Sequence, residues 1–300
     1  MTYEKKLIEG NFPCQQVGAE TKRERGASSA LPPLYFLHVW WARRPLTPSR
    51  AAVLGSILPA NISPDVFLKD LGIVKKQAII GNERWTLVGK NLDLIHKNGN
   101  NEYISITDKR FQKAFDKENI RRAQVRKIIN ILQEKDHALL QNSLLLQWLK
   151  DNNEIPYQVL ESECKVITVP ANPALTNERI SFASSDHLKE LMGSEIKIDL
   201  EDLYAYNRAY SNPIDENFEN ITVLDPTAGG GSIPFEAERL GCHVIANDLN
   251  PVATGIEKAT LQYPAEFGME LIPVIQKYAD QLVQEVAEKT RSYYNFEKPY

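Results

Sequence analysis

The sequence predicts an α/β protein whose C-terminal part contains a βαβ unit. A short, β-branched run at residues 221–224 predicts a buried parallel strand, and three consecutive glycines, residues 229–231, follow it. Residues 233–240 then have apolar residues and alanine at helical spacing. A second apolar run at residues 243–246 leads to Asp248. Strand, glycine turn, helix and strand with an acid at its tip are typical of nucleotide-binding units.

The ends of the predicted helix have their own signals. The glycine turn has no side chains over it, so the backbone can bend sharply there. Ser232 follows the turn and is predicted to be the N-cap, because serine side chains accept hydrogen bonds from amides of the first helical turn. Gly241 is predicted to end the helix as its C-cap.

The glycine spacing narrows the class of ligand. A dinucleotide fingerprint requires a third glycine where this sequence has Pro234, and the Gly-Lys-Ser/Thr ending of an ATP-binding loop is absent. This spacing argues against a nicotinamide oxidoreductase. Asp225 and Asp248 instead follow the two strands, and Asp248 is able to accept both ribose hydroxyls while Asp225 attracts an ammonium or sulfonium group. A cationic or neutral nucleoside is therefore favoured, and an ordinary βα turn is the alternative.

Composition limits the class of protein. With 300 residues, of which 43% are apolar, the chain is long enough to bury a sizeable core. A net charge of −4 argues against a uniformly basic nucleic-acid coat. The three cysteines are far apart, and the histidines lack paired spacing, so no disulfide framework or metal site is predicted. No apolar run reaches the ~18 residues of a membrane span, so a cytoplasmic protein without a membrane partner is expected.

The rest of the chain is predicted to be largely helical. Thr47-Pro48 resembles a helix start and precedes a helix at residues 51–58. The other predicted elements are a strand at Arg84–Val88, helical segments between Lys109 and Lys150, a strand at Cys164–Val169 and a long amphipathic helix at Leu271–Tyr294. Trp40-Trp41 is expected to be a core or lid pair, with base stacking as the alternative.

Three segments resemble known families. Residues 225–232, DPTAGGGS, resemble motif I of the amino-group DNA methyltransferases, and residues 247–251, NDLNP, resemble their motif II. Both motifs belong to class I S-adenosylmethionine folds. Residues 38–46, HVWWARRPL, together with residues 49–51, SRA, resemble the signature of the DUF1156 family. That family contains large adenine-specific methylase-like proteins found in restriction and antiphage loci.

This resemblance implies a partial Rossmann-like class I methyltransferase sheet with a helical N-terminal and central region. It implies a motif X-like element in residues 1–60 that folds over the cofactor, and the first half of the S-adenosylmethionine-binding domain at residues 211–300. Residues 61–210 are predicted from their own patterns to be a mixed, largely helical insert, and nearly all of them lie outside the resemblance. The implied reaction is methyl transfer from S-adenosylmethionine to adenine N6 in DNA, with cytosine N4 as the less favoured acceptor. The residues implied to bind S-adenosylmethionine are Asp225, Pro226, Thr227, Ala228, Gly229, Gly230, Gly231, Asp248, Leu249 and Asn250.

The catalytic part of such an enzyme is not found in the sequence. The family uses a D/N/S-P-P-Y/F/W loop to bind the target amine and stack on the flipped base. Residues 31–34, LPPL, lack both the polar residue and the adjacent aromatic, so no catalytic residue is assigned. The residues after Asn250 suffice for two helices but not for the remaining strands of the sheet. We therefore expect this chain alone to be inactive, and a non-catalytic cofactor-binding or assembly subunit of a defence complex, or a truncated remnant, is the alternative.

Basic residues identify candidate contacts to DNA. These candidates are Arg43, Arg44, Lys117, Arg121 and Arg122. Lys109, Lys113, Lys117 and Arg121 are spaced by four residues and would share one face of a helix, which suits a phosphate backbone. A solvated helix face is the alternative for this group. For the arginines beside the tryptophans, the alternative is a stacking or salt-bridging scaffold.

Overall fold

The computed structural model describes residues 4–26, 34–37, 40, 44–141, 153–174, 176–177, 181, 186, 189–190, 206–211 and 218–293. The chain forms two compact units. The first unit comprises Met1–Pro32 and Pro45–Asn217, and the second comprises Pro33–Arg44 and Phe218–Tyr300. A short piece near the N-terminus therefore belongs with the C-terminal part of the chain.

The described residues form both α-helices and β-strands. The α-helices are α1 (Cys14–Gly26), α2 (Leu34–Leu37), α3 (Leu46–Ile57), α4 (Pro64–Asp70), α5 (Lys109–Lys135), α6 (Ser232–Arg239), α7 (Pro251–Glu257), α8 (Tyr263–Phe267) and α9 (Leu271–Thr290). The strands are β1 (Val74–Ile80), β2 (Glu83–Leu87), β3 (Ile95–Asn98), β4 (Asn101–Ser105), β5 (Glu163–Pro170), β6 (Thr222–Asp225) and β7 (His243–Ala246). A π-helical segment, Lys258–Gln262, joins α7 to α8. None of the described helices has both the length and the apolarity to cross a membrane.

The first unit contains a five-stranded antiparallel sheet with the order β2-β1-β5-β4-β3. Strands β2 and β5 confirm the two strands predicted in this region. The sheet adds strands β1, β3 and β4 to a central region that was expected to be mixed and largely helical. Strands β1, β3 and β4 were missed because the first residue of β1, Val74, is followed by the polar run Lys75-Lys76-Gln77 and because β3 and β4 form a short, mostly polar hairpin. Neither pattern has the alternation that identifies a half-buried strand.

Helix α5 covers the apolar face of this sheet. Phe111 and Phe115 lie on its buried side, and their rings contact Trp85 edge-on at centroid distances of 6.1 and 6.0 Å. Such edge-to-face contacts add to the stability that apolar burial already provides. The helix begins after Asp108, whose carboxylate accepts the Arg110 amide hydrogen. Burial of this aromatic cluster fixes α5 against the sheet.

Helix α3 begins earlier than predicted. It starts at Leu46, and the cap is supplied from α1: the Glu24 carboxylate accepts the amide hydrogens of Leu46 at 2.8 Å and Thr47 at 2.9 Å. A carboxylate at a helix N-terminus satisfies amides that have no intrahelical partner and interacts favourably with the helix dipole. The prediction of a start at Thr47-Pro48 is therefore wrong, because the actual cap is more than twenty residues away in sequence.

The second unit contains the predicted βαβ arrangement. Strands β6 and β7 are parallel, with Val223 opposite Val244, and α6 connects them. The C-cap of α6 is Leu240, so the predicted C-cap, Gly241, lies one residue beyond the cap, where its φ is 82°. The N-cap prediction is wrong, because Gly231 occupies that position with a φ of 72° and Ser232 is the first helical residue. The positive φ at the cap is readily available only to glycine.

Part of the second unit exposes apolar surface. Leu224 and Ile245 lie opposite each other in the register of β6 and β7, and both are exposed. Parallel strands are usually covered on both faces. Helix α9 has no buried residue, and its Ile272, Ile275 and Leu282 side chains are exposed. The described part of the unit therefore exposes apolar side chains on β6, β7 and α9.

Candidate functional site

The tips of β6 and β7 are joined by backbone hydrogen bonds around the glycine turn. The Ala228 amide donates to the Asn247 carbonyl at 3.0 Å, and the Gly231 amide donates to the Ala228 carbonyl at 2.9 Å. Asp225, at the end of β6, accepts the Thr227 amide hydrogen at 3.2 Å. The turn is thus held at the carboxyl ends of two parallel strands, where open α/β sheets bind their ligands.

Asp248 ties the second strand to the glycine turn. One carboxylate oxygen accepts the Gly229 amide hydrogen at 2.8 Å, and the other accepts the Asn250 amide hydrogen at 2.8 Å. These backbone hydrogen bonds, from Asn250 first and then Gly229, lower the pKa of Asp248 below its ordinary value. Each carboxylate oxygen has a second lone pair, so Asp248 retains capacity for the hydroxyls of a ribose. Asp248 therefore has a structural role that sequence reasoning did not assign to it.

The remaining residues predicted to bind the cofactor lie around the same turn. The Asn247 side chain donates to the Pro226 carbonyl at 3.1 Å. Asn250 caps α7 by accepting the Val252 amide hydrogen at 2.9 Å. Leu249 is 99% exposed. The structure thus brings together the two predicted segments, 225–231 and 248–250.

Trp40 packs against the glycine turn. A Cβ added at Gly229 would lie 2.7 Å from the indole nitrogen of Trp40, and one added at Gly230 would lie 3.3 Å from its Cβ. Trp40 is only 8% exposed and forms an apolar cluster with Ala253 and Ile256. This confirms the expectation of a core tryptophan. Two of the glycines are thus explained by the close approach of an indole as well as by the needs of a turn.

The segment around Trp40 is also attached to the start of α6. The Ser232 hydroxyl donates to the Arg44 carbonyl at 2.9 Å, and the Tyr35 hydroxyl donates to the same carbonyl at 3.4 Å. The Arg44 side chain is exposed. Arg43 lies outside the described residues, as does Trp41. The predicted nucleic-acid residue Arg44 is therefore near the glycine turn, with its guanidinium accessible.

Sequence reasoning missed Glu257. This residue ends α7, is only 7% exposed, and its Oε1 atom has no hydrogen-bond partner among the described residues. Its Cγ would lie 3.6 Å from a Cβ placed on Gly231. Burial first, and then the charges of Asp248 and Asp225, raise the pKa of Glu257 above its ordinary value. The signal in the sequence was its spacing of four from Ala253, which placed it on the buried side of α7.

The basic face of α5 lies in the first unit. Lys109, Lys113 and Lys117 are exposed there. Arg121 forms hydrogen bonds with the Glu118 carboxylate at 2.7 and 2.9 Å. The structure therefore retains Lys117 as an accessible cation and shows Arg121 engaged in an ion pair.

Arg122 does not fit its predicted role. It is 1% exposed, and its guanidinium donates to the Glu118 carboxylate at 2.6 Å and to the Arg84 carbonyl at 2.7 Å. A third hydrogen bond goes to the Asn153 carbonyl. A guanidinium enclosed by these acceptors is unable to reach an external phosphate, so the prediction of a nucleic-acid contact at Arg122 is wrong. The residue stabilises the packing of α5 against neighbouring segments instead.

Among the described residues, no group of three or more histidine, cysteine or acidic side chains is placed to hold a metal ion.

Comparison with known proteins gives a match to a family model and none to a named protein. No curated protein and no solved structure matches the chain. Residues 11–79 match the family described as "Protein of unknown function (DUF1156)". This match supports the DUF1156 resemblance that the Trp-Trp-Ala-Arg-Arg-Pro segment indicated.

Proposed function

We propose that this chain is the S-adenosylmethionine-binding part of a DNA methyltransferase that acts on adenine N6, with cytosine N4 as the less favoured acceptor. The observation that carries the proposal is the glycine turn at the ends of β6 and β7, held to the second strand by the Asp248–Gly229 hydrogen bond. The DUF1156 resemblance adds restriction or antiphage defence as the biological setting. The composition favours a cytoplasmic location.

The described side chains fit the proposed donor. Asp248 is held ionised and has acceptor capacity left for the ribose hydroxyls. Asp225, Asp248 and Glu257 form no ion pair with the described lysines and arginines, which suits a ligand with a positive charge. When bound, S-adenosylmethionine supplies an electrophilic methyl group on a sulfonium. The protein's part in this proposal is to bind the ribose and orient the sulfonium.

Transfer of the methyl group needs more than this chain's sequence contains. The target amine must be held by hydrogen-bond acceptors, and the flipped base must stack on an aromatic ring. No D/N/S-P-P-Y/F/W loop is present in the 300 residues. We propose that another polypeptide segment presents the base and that this chain alone binds the donor without transferring its methyl group.

A second candidate function is a non-catalytic cofactor-binding or assembly subunit of a defence complex. The exposed apolar side chains of α9, including Ile272, Ile275 and Leu282, favour it. Large contiguous apolar patches on monomeric proteins frequently mark interaction sites. The two candidates share the donor site and differ in whether a base-binding partner completes a catalytic centre.

Calorimetric titration tests the binding of S-adenosylmethionine, which both candidate functions require. The 300-residue protein is titrated with S-adenosylmethionine and, separately, with NAD. We expect the first ligand to bind and the second not to bind, and Asp248→Asn to weaken the binding of S-adenosylmethionine. Asp280→Asn, the same change at an exposed residue of α9, is the matched control. Binding of NAD instead of S-adenosylmethionine would overturn the proposal.

An activity assay tests the proposal that this chain alone binds the donor without transferring its methyl group. The purified chain is incubated with duplex DNA and S-adenosylmethionine that has a labelled methyl group. We expect no label to enter the DNA. Robust methylation by this chain alone would show that the missing tetrapeptide is not required.

A further inference from the structure

Glu257 is a buried acid that the fold does not explain. Its side chain lies under the glycine turn, and Oε1 has no hydrogen-bond partner among the described residues. An ionised carboxylate is costly to bury without a partner, so such groups usually pair, neutralise or bind a ligand. The adjoining residues Ala253 and Ile256 are buried and apolar, which adds to this cost. A leucine or glutamine would fill the same position at lower cost.

The surroundings of Glu257 are acidic. Asp225 and Asp248 lie close enough for their charges to raise its pKa further after the effect of burial. Asp248 is itself held ionised by backbone amides. The described lysines and arginines of the second unit form no ion pair with any of the three carboxylates. Three acids thus converge at the carboxyl ends of β6 and β7 without a neutralising side chain from the described chain.

We propose that Glu257 makes this site select the cationic form of its nucleoside ligand over the neutral form. This inference rests on the proposed function and deepens it, because S-adenosylmethionine has a positively charged sulfonium where its demethylated product, S-adenosylhomocysteine, has a neutral thioether. The two molecules are otherwise alike in their ribose, base and amino-acid groups. In this proposal the carboxylate of Glu257 is ionised when the ligand is bound and lies near its sulfur, where it stabilises only the first of them by charge. Glu257 would therefore favour binding of the donor and release of the product.

Charge selection by Glu257 can be tested separately from the structural role of Asp248. Both Asp248 oxygens accept backbone amide hydrogens, so its loss disturbs the turn itself. Glu257 has no such bond at Oε1, and Glu257→Gln retains nearly the same shape while it removes the charge. The variant therefore tests charge selection with little change in packing against Gly231.

The experiment compares two ligands in matched variants of the 300-residue protein. Affinities for S-adenosylmethionine and S-adenosylhomocysteine are measured by calorimetry at low salt for the wild type, Glu257→Gln and Glu257→Asp. Glu238→Gln is the control, because Glu238 is a partly buried acid of α6 in the same unit. Thermal unfolding confirms that each variant is folded. If the glutamine variant does not fold, Glu257→Asp is compared with the wild type: its shorter side chain moves the charge, so a preference for the cation equal to that of the wild type would overturn the role of Glu257.

We expect Glu257→Gln to lower the preference for the cation by about tenfold, which corresponds to ~1.4 kcal/mol, while the control leaves it unchanged. Glu257→Asp should retain more of the preference than the glutamine variant. If the wild type binds both ligands and the ratio of affinities is the same in Glu257→Gln, only the role of Glu257 is overturned. If the wild type binds neither ligand, the proposed function and this inference are both overturned.

Discussion

The carboxylate of Asp248 accepts the amide hydrogen of Gly229 at 2.8 Å, and this bond connects the end of β7 to the turn that follows β6. Gly229 is buried, so its amide has no ready replacement partner in water. Leaving a buried donor unsatisfied costs about 1–3 kcal/mol. The bond therefore matters for stability before any ligand binds.

Asp248→Ala should lower the free energy of unfolding of the second unit, because two backbone amides lose their acceptor. Asp248→Asn retains one acceptor oxygen and should cost less. Urea unfolding followed by circular dichroism measures both, with Asp280→Ala as the control. Equal stability of Asp248→Ala and the control would contradict the structural role of Asp248.

Gly229→Ala should destabilise the protein more than Gly231→Ala. Both glycines have positive φ, 59° and 72°, so alanine is strained at either position. Only at Gly229 would the new Cβ come within 2.7 Å of the Trp40 indole nitrogen, whereas at Gly231 the nearest contact is an ordinary 3.6 Å. Chemical unfolding of the two variants gives the comparison.

The same comparison in a Trp40→Phe background isolates the steric contact. Phenylalanine lacks the indole nitrogen, so the extra cost of Gly229→Ala should decrease there. A cost that stays the same in both backgrounds would show that backbone strain alone accounts for it.

Arg122→Ala should be far more destabilising than Arg121→Ala, although the two arginines are adjacent and both bind Glu118. Arg122 is buried and donates to two carbonyls as well, so its removal leaves a buried carboxylate with fewer partners. Breaking such a buried pair costs about 3–5 kcal/mol, whereas a more exposed pair contributes about 0–1 kcal/mol. Unfolding in urea measures both, and similar losses would contradict the buried role of Arg122.

Asp108 should make the stability of the start of α5 depend on pH in the acidic range. Hydrogen bonds from the Arg110 side chain and then from the Arg110 amide lower the pKa of Asp108 to about 2 from 3.8. A folded-state pKa below the unfolded one means that the contribution is present above pH 3.8 and is lost as the pH falls through about 2. Carboxyl chemical shifts measured by NMR titration give the folded-state pKa directly.

Asp108→Asn is the control for this dependence, because it retains an acceptor oxygen for the helix cap and removes the titrating group. The stability of this variant should vary less between pH 4 and pH 2 than that of the wild type. A pKa for Asp108 near its ordinary value would contradict the assigned hydrogen bonds.

Lys113→Glu with Lys117→Glu should weaken the binding of duplex DNA if the exposed face of α5 contacts phosphates, as its lysine spacing suggests. Each lost phosphate contact lowers the slope of log affinity against log salt by about one. Fluorescence anisotropy at several salt concentrations measures both quantities. Lys277→Glu, at an exposed lysine of α9, is the matched control. An unchanged affinity and slope would leave this face as solvated surface.

The βαβ arrangement could be predicted because its signals are local. The apolar runs of β6 and β7, the glycines between them and Gly241 lie within about one supersecondary unit of sequence. The positions of Asp225 and Asp248 could be predicted from the strands alone, because Asp225 ends β6 and Asp248 comes two residues after β7. Local patterns of this kind need no information about the rest of the chain.

The features that were missed depend on distant contacts. Glu24 caps α3 across more than twenty residues, and Trp40 fills the space above glycines that are far away in sequence. The burial of Arg122 depends on carbonyls of Arg84 and Asn153, so a charge pattern on one helix could not reveal it. Sequence periodicity reports which face of a helix is apolar, and it does not report which partner satisfies a charge.

The segment that matches the family, residues 11–79, ends inside β1 and supplies residues to both compact units. Its strand β1 takes hydrogen bonds from β2 and β5, which lie beyond the match. Its Glu20 accepts the Tyr206 hydroxyl hydrogen at 2.8 Å. A fragment cut at the limits of the match would therefore leave β1 without its neighbouring strands, and the buried acid Glu20 would lose its hydrogen bond from Tyr206. The stretch that matches the family model therefore lacks contacts that an independent fold would need, and an expressed fragment should also include the partners of β1 and Glu20.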